Sequence, residues 1–431
     1  MSPRHTLPVA LAALALALGF AVVPALPASA DVAQCTDLGG AWDDPTTTCT
    51  VSTAQSVAGG DLTGNLVIAA GGSLTKTGAT GNGVSGTITV AGTLTISAGD
   101  YGGSTTIVGA GTLDVQSGTN YSGSVTVNGP TAQFTLGFAG ASGPVVVTDG
   151  TFTNGGTVST TVTNADTVVN NGSVGGAVVN NSGTFTNTLG TLNSALTING
   201  GSVVNPANIL APVTVNAGSF SNTAAFAQVT GLLTVAAGAT ATNGPGTVAS
   251  VSNAGTFTNN AGGTSGAVTN TGAGSLVNDG TITGGVTHSS TGTFTGTGTT
   301  TPAYPQTVAF TSTAPVAPAV ASTYAVTLSS SAVGTTPTLT VAPVGVCTLT
   351  GSTVTFVANG TCTVTAERSA TGNFAAASVS QAIAVGPVAG GGSARLPATG
   401  VETGSALLLG FGVLALGGAF LLMRRLPAVR S

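Results

Sequence analysis

Few side chains in this 431-residue chain can do chemistry, and their positions narrow the choices. Four cysteines fall in two pairs, Cys35 with Cys49 and Cys347 with Cys362, each spaced to close a loop of about 15 residues, a closure worth roughly 3 kcal/mol in the chain-entropy model. Asp100, Asp114, Asp149, Asp166 and Asp279 are scattered, mostly beside Gly or at turns, and Asp43-Asp44-Pro45 reads as a turn. His288 has no companion ligand or base, so no catalytic constellation, no metal set and no cofactor site is expected. Lys76 is followed by no Lys or Arg until Arg368, which leaves a polysaccharide lyase or hydrolase without its usual cationic partners. One stretch stands out. Leu396-Pro397-Ala398-Thr399-Gly400 is followed by an uncharged apolar run, Ser405 to Met423, and then by Arg424, Arg425 and Arg430. Pro397 fixes a bend and removes an amide donor, so the pentapeptide is an extended segment that another protein can grip. The apolar run is roughly long enough to cross a bilayer, and the arginines after it stop transfer.

The order pentapeptide, apolar span, basic tail resembles the cell-wall sorting signal of Gram-positive surface proteins, with Leu396 to Gly400 fitting LPxTG. The resemblance implies that a sortase cysteine attacks the Thr399-Gly400 bond and passes the Thr399 carbonyl to an amine of a peptidoglycan precursor. The chain is then the substrate and not the catalyst. It ends covalently attached to the cell wall after a stage with a C-terminal membrane span.

The other end agrees with export. Arg4 opens a segment in which Val9 to Val23 is apolar and Ala28-Ser29-Ala30 is a small-residue cleavage site, leaving Asp31 first. Residues 1–30 are read as a signal peptide, and the cysteines then meet an oxidising compartment. From Asp31 to Thr399 three basic side chains, Lys76, Arg368 and Arg395, stand against eleven acids, a formal charge of −8 that disfavours nucleic acid and anionic membranes as partners. Only 4% of the chain is charged, where about a quarter is usual. Thr, Val, Gly, Asn and Ser fill the gap, a mixture that favours strands and turns over helices.

The elements that must carry these residues follow in order. Residues 31–55 are expected to form a small disulfide-stapled segment with Trp42 as its apolar plug. Over 56–300 a unit Gly-Thr-apolar-Thr-Asn recurs, as at Gly150 to Asn154, Gly183 to Asn187 and Gly255 to Asn259, with a second unit such as Val162-Thr163-Asn164 between copies. A period near 18 residues holding two short alternating strands predicts a β-solenoid, or β-helix, of roughly a dozen rungs and some 60 Å at the usual strand spacing. A single rung buries too few aliphatic side chains to offset the ordering of its backbone, so stability has to accumulate through stacking. Leu94, Leu113, Phe134, Phe152, Val168, Phe185, Val203, Phe220, Phe257, Leu276 and Phe294 are expected to form one interior column, with flanking threonines facing water. Asn154, Asn170, Asn187, Asn205, Asn222, Asn243, Asn259 and Asn278 should stack at the end of that strand, tolerating a left-handed turn. Asn164, Asn180, Asn199, Asn216, Asn253 and Asn270 should make a second column that His288 continues.

This region resembles the β-helical repeats of bacterial adhesins. Residues 304–385, including Gln306 to Phe310, Gly351 to Ala366 and Asn373-Phe374-Ala375, resemble a bacterial Ig-like repeat, which implies a β-sandwich; Cys347 and Cys362 would tie a hairpin in it. Residues 386–395 are a Gly-rich linker, and 396–431 the sorting signal with its transmembrane helix. The fold class is therefore all-β, a β-solenoid rod followed by an Ig-like β-sandwich. The expected function is that of a secreted, wall-anchored, adhesin-like or structural surface protein and not an enzyme. Its partners are a sortase, peptidoglycan through Thr399, and a host or environmental glycan or matrix ligand. The alternatives are a polysaccharide-processing β-helix enzyme, and a protein whose outward Thr-x-Thr pairs bind ice or a glycan. A pilus subunit would have only Lys76 to link through.

Overall fold

The computed structural model describes residues 32–386 except 60, 80–82, 139 and 332–334. The signal peptide, with Ala28, Ala30 and Asp31, lies outside the described residues, as do the sorting signal, its apolar span and all of the linker after Gly386. The chain divides into Met1–Gly386 and Pro387–Ser431, and the architecture below is that of the first unit.

Thr-Val alternation at this period yields what it should: an all-β chain, mostly a β-solenoid of about 14 turns, with almost no helix. Successive coils pair in parallel and in register. Val162–Asn164 lies on Val178–Asn180, Thr167–Asn170 on Thr184–Thr186, and Ser173–Val174 on Thr191–Leu192. Each of these coils thus has three strands where the sequence pattern shows two. The third is only two residues long, too short for alternation to register as a period. The solenoid is also longer than a dozen rungs, because coils before Asn65 and a closing segment after the repeats join the stack.

The interior column forms as expected. Leu74, Leu94, Leu113, Phe134, Phe152, Val168, Phe185, Val203, Phe220, Ala241, Phe257, Leu276 and Phe294 follow one another in register and are buried. Phe134 and Phe152 stack with ring centroids 4.7 Å apart.

The asparagines after this strand also stack, but for another reason than a left-handed turn: none of them has a positive φ among the described residues. They point inward and are fully buried. Each amide donates to the next coil, Asn154 to Asn170 at 2.7 Å, Asn187 to Asn205 at 2.7 Å and Asn243 to Asn259 at 2.8 Å. The same Nδ2 groups also reach backbone carbonyls of the adjoining short strands, such as those of Ser173, Asn208 and Thr281. The ladder therefore satisfies the buried amides of the asparagines themselves and adds a second donor to carbonyls near the corner. It also explains one recurrent glycine: a Cβ on Gly263 would lie 2.6 Å from Oδ1 of Asn259.

The second column differs from expectation. Asn164 pairs with Asn180 at 2.6 Å and Asn253 with Asn270 at 2.7 Å, but Ile198, Val215 and Val235 fill the inward positions between them. Asn199 and Asn216 sit one residue later, and a one-residue step in a strand turns a side chain to the opposite face. They form an exposed ladder with Asn181, with 2.9 Å links.

Both ends of the stack are closed by chain from outside the repeats. At the start, the helix Val32–Asp37 and the Cys35–Cys49 disulfide lie on the first coil, and Cys49 is itself a rung residue opposite Leu66. The stapled segment is continuous with the coil. Trp42 is half-buried against the core and donates its indole N–H to Asp44 at 2.5 Å. At the other end, Asn373 and Phe374 extend the two columns. Phe374 packs 4.8 Å from Phe294, and Oδ1 of Asn373 accepts from Asn278 at 2.7 Å.

Residues 304–386 carry small antiparallel sheets. Thr323–Ala325, Thr353–Phe356 and Cys347–Thr350 form one; Thr338–Ala342, Gly360–Arg368 and Ala377–Val385 form another. Tyr324, Val354, Phe356, Val364 and Ile383 make a separate core. The Cys347–Cys362 disulfide joins these two sheets through that core, and is not a hairpin tie. Buried Arg368 reaches the carbonyls of Thr307, Ser331 and Thr335.

Candidate functional site

The outward side of the strand that carries the Phe column is the most regular surface among the described residues. One row runs in register from Ser73 through Thr93, Thr112, Gln133, Thr151, Thr167, Thr184, Ser202, Ser219, Thr240, Thr256 and Ser275 to Thr293. The row two residues on has Thr95, Thr153, Thr186, Thr242, Thr258 and Thr295, broken by Asp114, Val169, Val204 and Val277. Strand geometry places neighbouring groups about 4.8 Å apart along the axis and about 6.6 Å apart across the rows. Such a face offers hydroxyl donors and acceptors on a repeat, with one carboxylate and no cation. It can contact a neutral hydrogen-bonding partner.

The remaining candidate groups have structural surroundings. Asp166 accepts from the backbone N–H of Gly150 at 2.6 Å, Asp279 from that of Thr297 at 2.8 Å, and Asp100 from the amide of Asn120 at 2.7 Å. They fasten turns on different coils. Among the described residues no three His, Cys, Asp or Glu side chains come together as a metal set. His288 continues the second column as expected: its Nδ1 stands 2.9 Å from Nδ2 of Asn270, and its ring meets Tyr304 edge-on. Burial lowers its pKa. That suits a neutral ring whose Nδ1 accepts from the ladder.

Lys76 was legible in the sequence only as a charge. It occupies the column that becomes the Asn ladder, in register with Ile96, and is 1% exposed. Its Nζ donates to the carbonyls of Gly78 at 2.7 Å and Ala98 at 3.0 Å and lies 5.8 Å from the centre of the Tyr101 ring. Burial lowers its pKa, against the opposing pull of Asp61 and Asp100. The amine is enclosed and does not present a linkage site at the surface. The signal was its place in Ser73-Leu74-Thr75-Lys76, where alternation with Leu74 turns it inward. Nearby Tyr101 and Tyr121 are fully buried, and burial pushes both phenols above their ordinary range.

Of the sequence-predicted site residues, Cys35, Cys49, Cys347 and Cys362 form the two disulfides in the expected pairing. Leu396, Pro397, Ala398, Thr399 and Gly400 lie outside the described residues. No helix among the described residues is long and apolar enough to cross a membrane.

Residues 391–426 match the family model described as the LPXTG cell wall anchor motif. Neither a curated protein nor a solved structure matches the chain. The anchor motif and the solenoid together support a cell-wall-anchored surface protein.

Proposed function

We propose that the chain is exported, cut after Ala30, and joined through the Thr399 carbonyl to peptidoglycan by a sortase, so that its solenoid is displayed outside the cell as an adhesin-like or structural rod. The observation that carries this reading is the anchor motif over 391–426, which follows in sequence a solenoid with a regular hydroxyl-bearing outward face. In this reading Leu396 to Gly400 is the recognition segment, Ser405 to Met423 holds the precursor in the membrane, and the Arg424-Arg425 tail retains it there until transfer. Residues 304–385 serve as an Ig-like stalk.

The test is mass spectrometry of the fragments released by digesting the wall. Thr399 is expected at the end of a peptide joined to a wall amine, and Thr399→Ala is expected to move the chain from the wall to the membrane and medium fractions. Recovery of an unmodified Gly400 continuing into Val401 in wall material would overturn the reading.

The hydroxyl row, broken only by the Gln133 amide, favours a second statement about contact. The face from Ser73 to Thr293 is the adhesive one, and its partner is neutral and rich in hydroxyls, as a glycan or an ice surface is. Binding screens on insoluble glycans, with a freezing-hysteresis assay beside them, test that partner class. A mature chain inactive in all of them leaves the rod as a spacer.

A further inference from the structure

The chain leaves the solenoid at Tyr304 and returns to it at Gly372 to Ala375 before its last strand. Those four residues are clasped to the final coil. The N–H of Thr300 donates to the carbonyl of Gly372 at 2.9 Å, that of Tyr304 to the carbonyl of Asn373 at 2.8 Å, and that of Ala375 to the carbonyl of Tyr304 at 2.9 Å. The Asn373 side chain accepts from Asn278 and Thr300 and donates to the carbonyls of Asn278 and Gly296, the donated bonds both at 3.0 Å. Phe374 is buried on Phe294. From this clasp Ala377–Val385 runs nine residues in antiparallel register with Gly360–Arg368, Ala377 opposite Arg368 and Val385 opposite Gly360. Gly386, next after it, donates its N–H to the carbonyl of Pro318 at 3.0 Å and is the last described residue.

We propose that Asn373 and Phe374 form a force latch, so that tension between the rod and a C-terminal attachment passes along Ala377–Val385 and into the solenoid without loading the rest of residues 305–371. The reason is connectivity. Tension entering at Gly386 pulls on a strand that is already extended and whose other end is covalently continuous with the clasp. Both ends of the 305–371 segment are held at the same place, the bridge between Tyr304 and Phe374. While the clasp holds, that segment is a closed side loop off the covalent load path, and it meets the loaded strand only laterally, through the ladder of Gly360–Arg368 and the Gly386 N–H bond to Pro318. The load is resisted by several hydrogen bonds of the clasp acting together with a buried ring, and Gln306 adds bonds to Ser369 at 3.0 Å and Ala375 at 2.6 Å. The biological value of the latch rests on the wall-anchoring reading above; its mechanics do not.

The experiment is single-molecule stretching of the mature chain, residues 31–399, held at its two ends. Opening the latch and then the module frees about 55 residues with Cys347–Cys362 intact, an extension of ~190 Å, and about 70 residues, ~240 Å, after reduction; that difference identifies the event. Asn373→Ala and Phe374→Ala are each expected to lower the force of this event while leaving its length unchanged. Val354→Ala, which loosens the core where it packs on Ile383 and Val385, is expected to leave the force unchanged, since the extended strand carries the tension covalently to the clasp. An equal loss of force in Val354→Ala and Asn373→Ala, or no loss in either latch variant, would overturn the proposal. A wall extract lacking the chain would remove the anchoring reading and leave this result untouched.

Discussion

Replacing Asn187 by Leu should damage the solenoid locally and far more than the same change at Asn199. Asn187 is buried and accepts from Asn170 at 2.7 Å while donating to Oδ1 of Asn205 at 2.7 Å and to the carbonyl of Asn208 at 3.2 Å. Leu fills nearly the same volume, so no large cavity arises, but the Asn170 amide and the Asn205 oxygen each lose their buried partner, while the Asn208 carbonyl keeps its strand bond. An orphaned buried polar group costs about 1–3 kcal/mol. Part of that sum is offset by the added apolar burial of one Leu, about 1.5–3 kcal/mol. A net loss of about 1–3 kcal/mol remains. Asn199 makes 2.9 Å links to Asn181 and Asn216 with much the same geometry, but on the exposed side, where water replaces either partner. Its replacement should stay within about 0.5 kcal/mol. Because each coil touches only its neighbours, the effect belongs to the coils around the substitution and is best read by amide hydrogen exchange. At about 1.4 kcal/mol per factor of ten, Asn187→Leu should speed exchange in the adjoining coils by roughly 5- to 150-fold. The coils from Thr256 onward should keep wild-type protection. Equal effects at Asn187 and Asn199, or a uniform loss along the whole rod, would refute the view that the ladder works by satisfying buried groups.

Two further predictions concern pH. Burial lowers the His288 pKa, so in the unfolded chain the ring takes its proton first, near the ordinary value of about 6.5. The contribution of the folded site is complete above that pH and declines as pH falls toward and through the lower folded value; exchange in the last coils should therefore accelerate in mild acid, and His288→Asn, which continues the ladder, should abolish the acceleration. Burial, the largest cause for both Tyr101 and Tyr121, raises their phenols above the usual value of about 10. The stability they confer is whole below that pH and is lost as pH rises through the folded values, so the phenolate absorbance of the folded chain should fall two tyrosines short until the N-terminal coils open in strong alkali.

Much of the rod was legible because a period-2 alternation inside an 18-residue repeat admits few arrangements. Leu94 to Phe294 could be placed in one column from spacing alone, and the Asn154 to Asn278 ladder with them. Three features were not legible, each for a physical reason. Two-residue strands such as Ser173–Val174 carry no measurable period. Asn199 and Asn216 follow Ile198 and Val215 by one residue, and that single step decides which of them turns inward. Asn373-Phe374 lies 95 residues from the Asn278 it pairs with, among residues that otherwise belong to another core, so nothing local marks it as the last rung. The anchor showed the reverse pattern. Leu396 to Gly400 was read from the pentapeptide and its flanks, since its recognition needs residue identity and accessibility and no fold of its own.

The closed ends of the stack matter most where many copies stand side by side. A parallel stack of hydroxyl-rich strands with bare edges is a template, and each terminal coil would recruit the first coil of a neighbour, as growing cross-β fibrils do. The strand Ala41–Asp43, held by the Cys35–Cys49 bridge, pairs antiparallel with the first coil, and the Asn373 segment bonds to the last. A crowd of these molecules can therefore remain a lawn of separate rods without seeding amyloid-like growth.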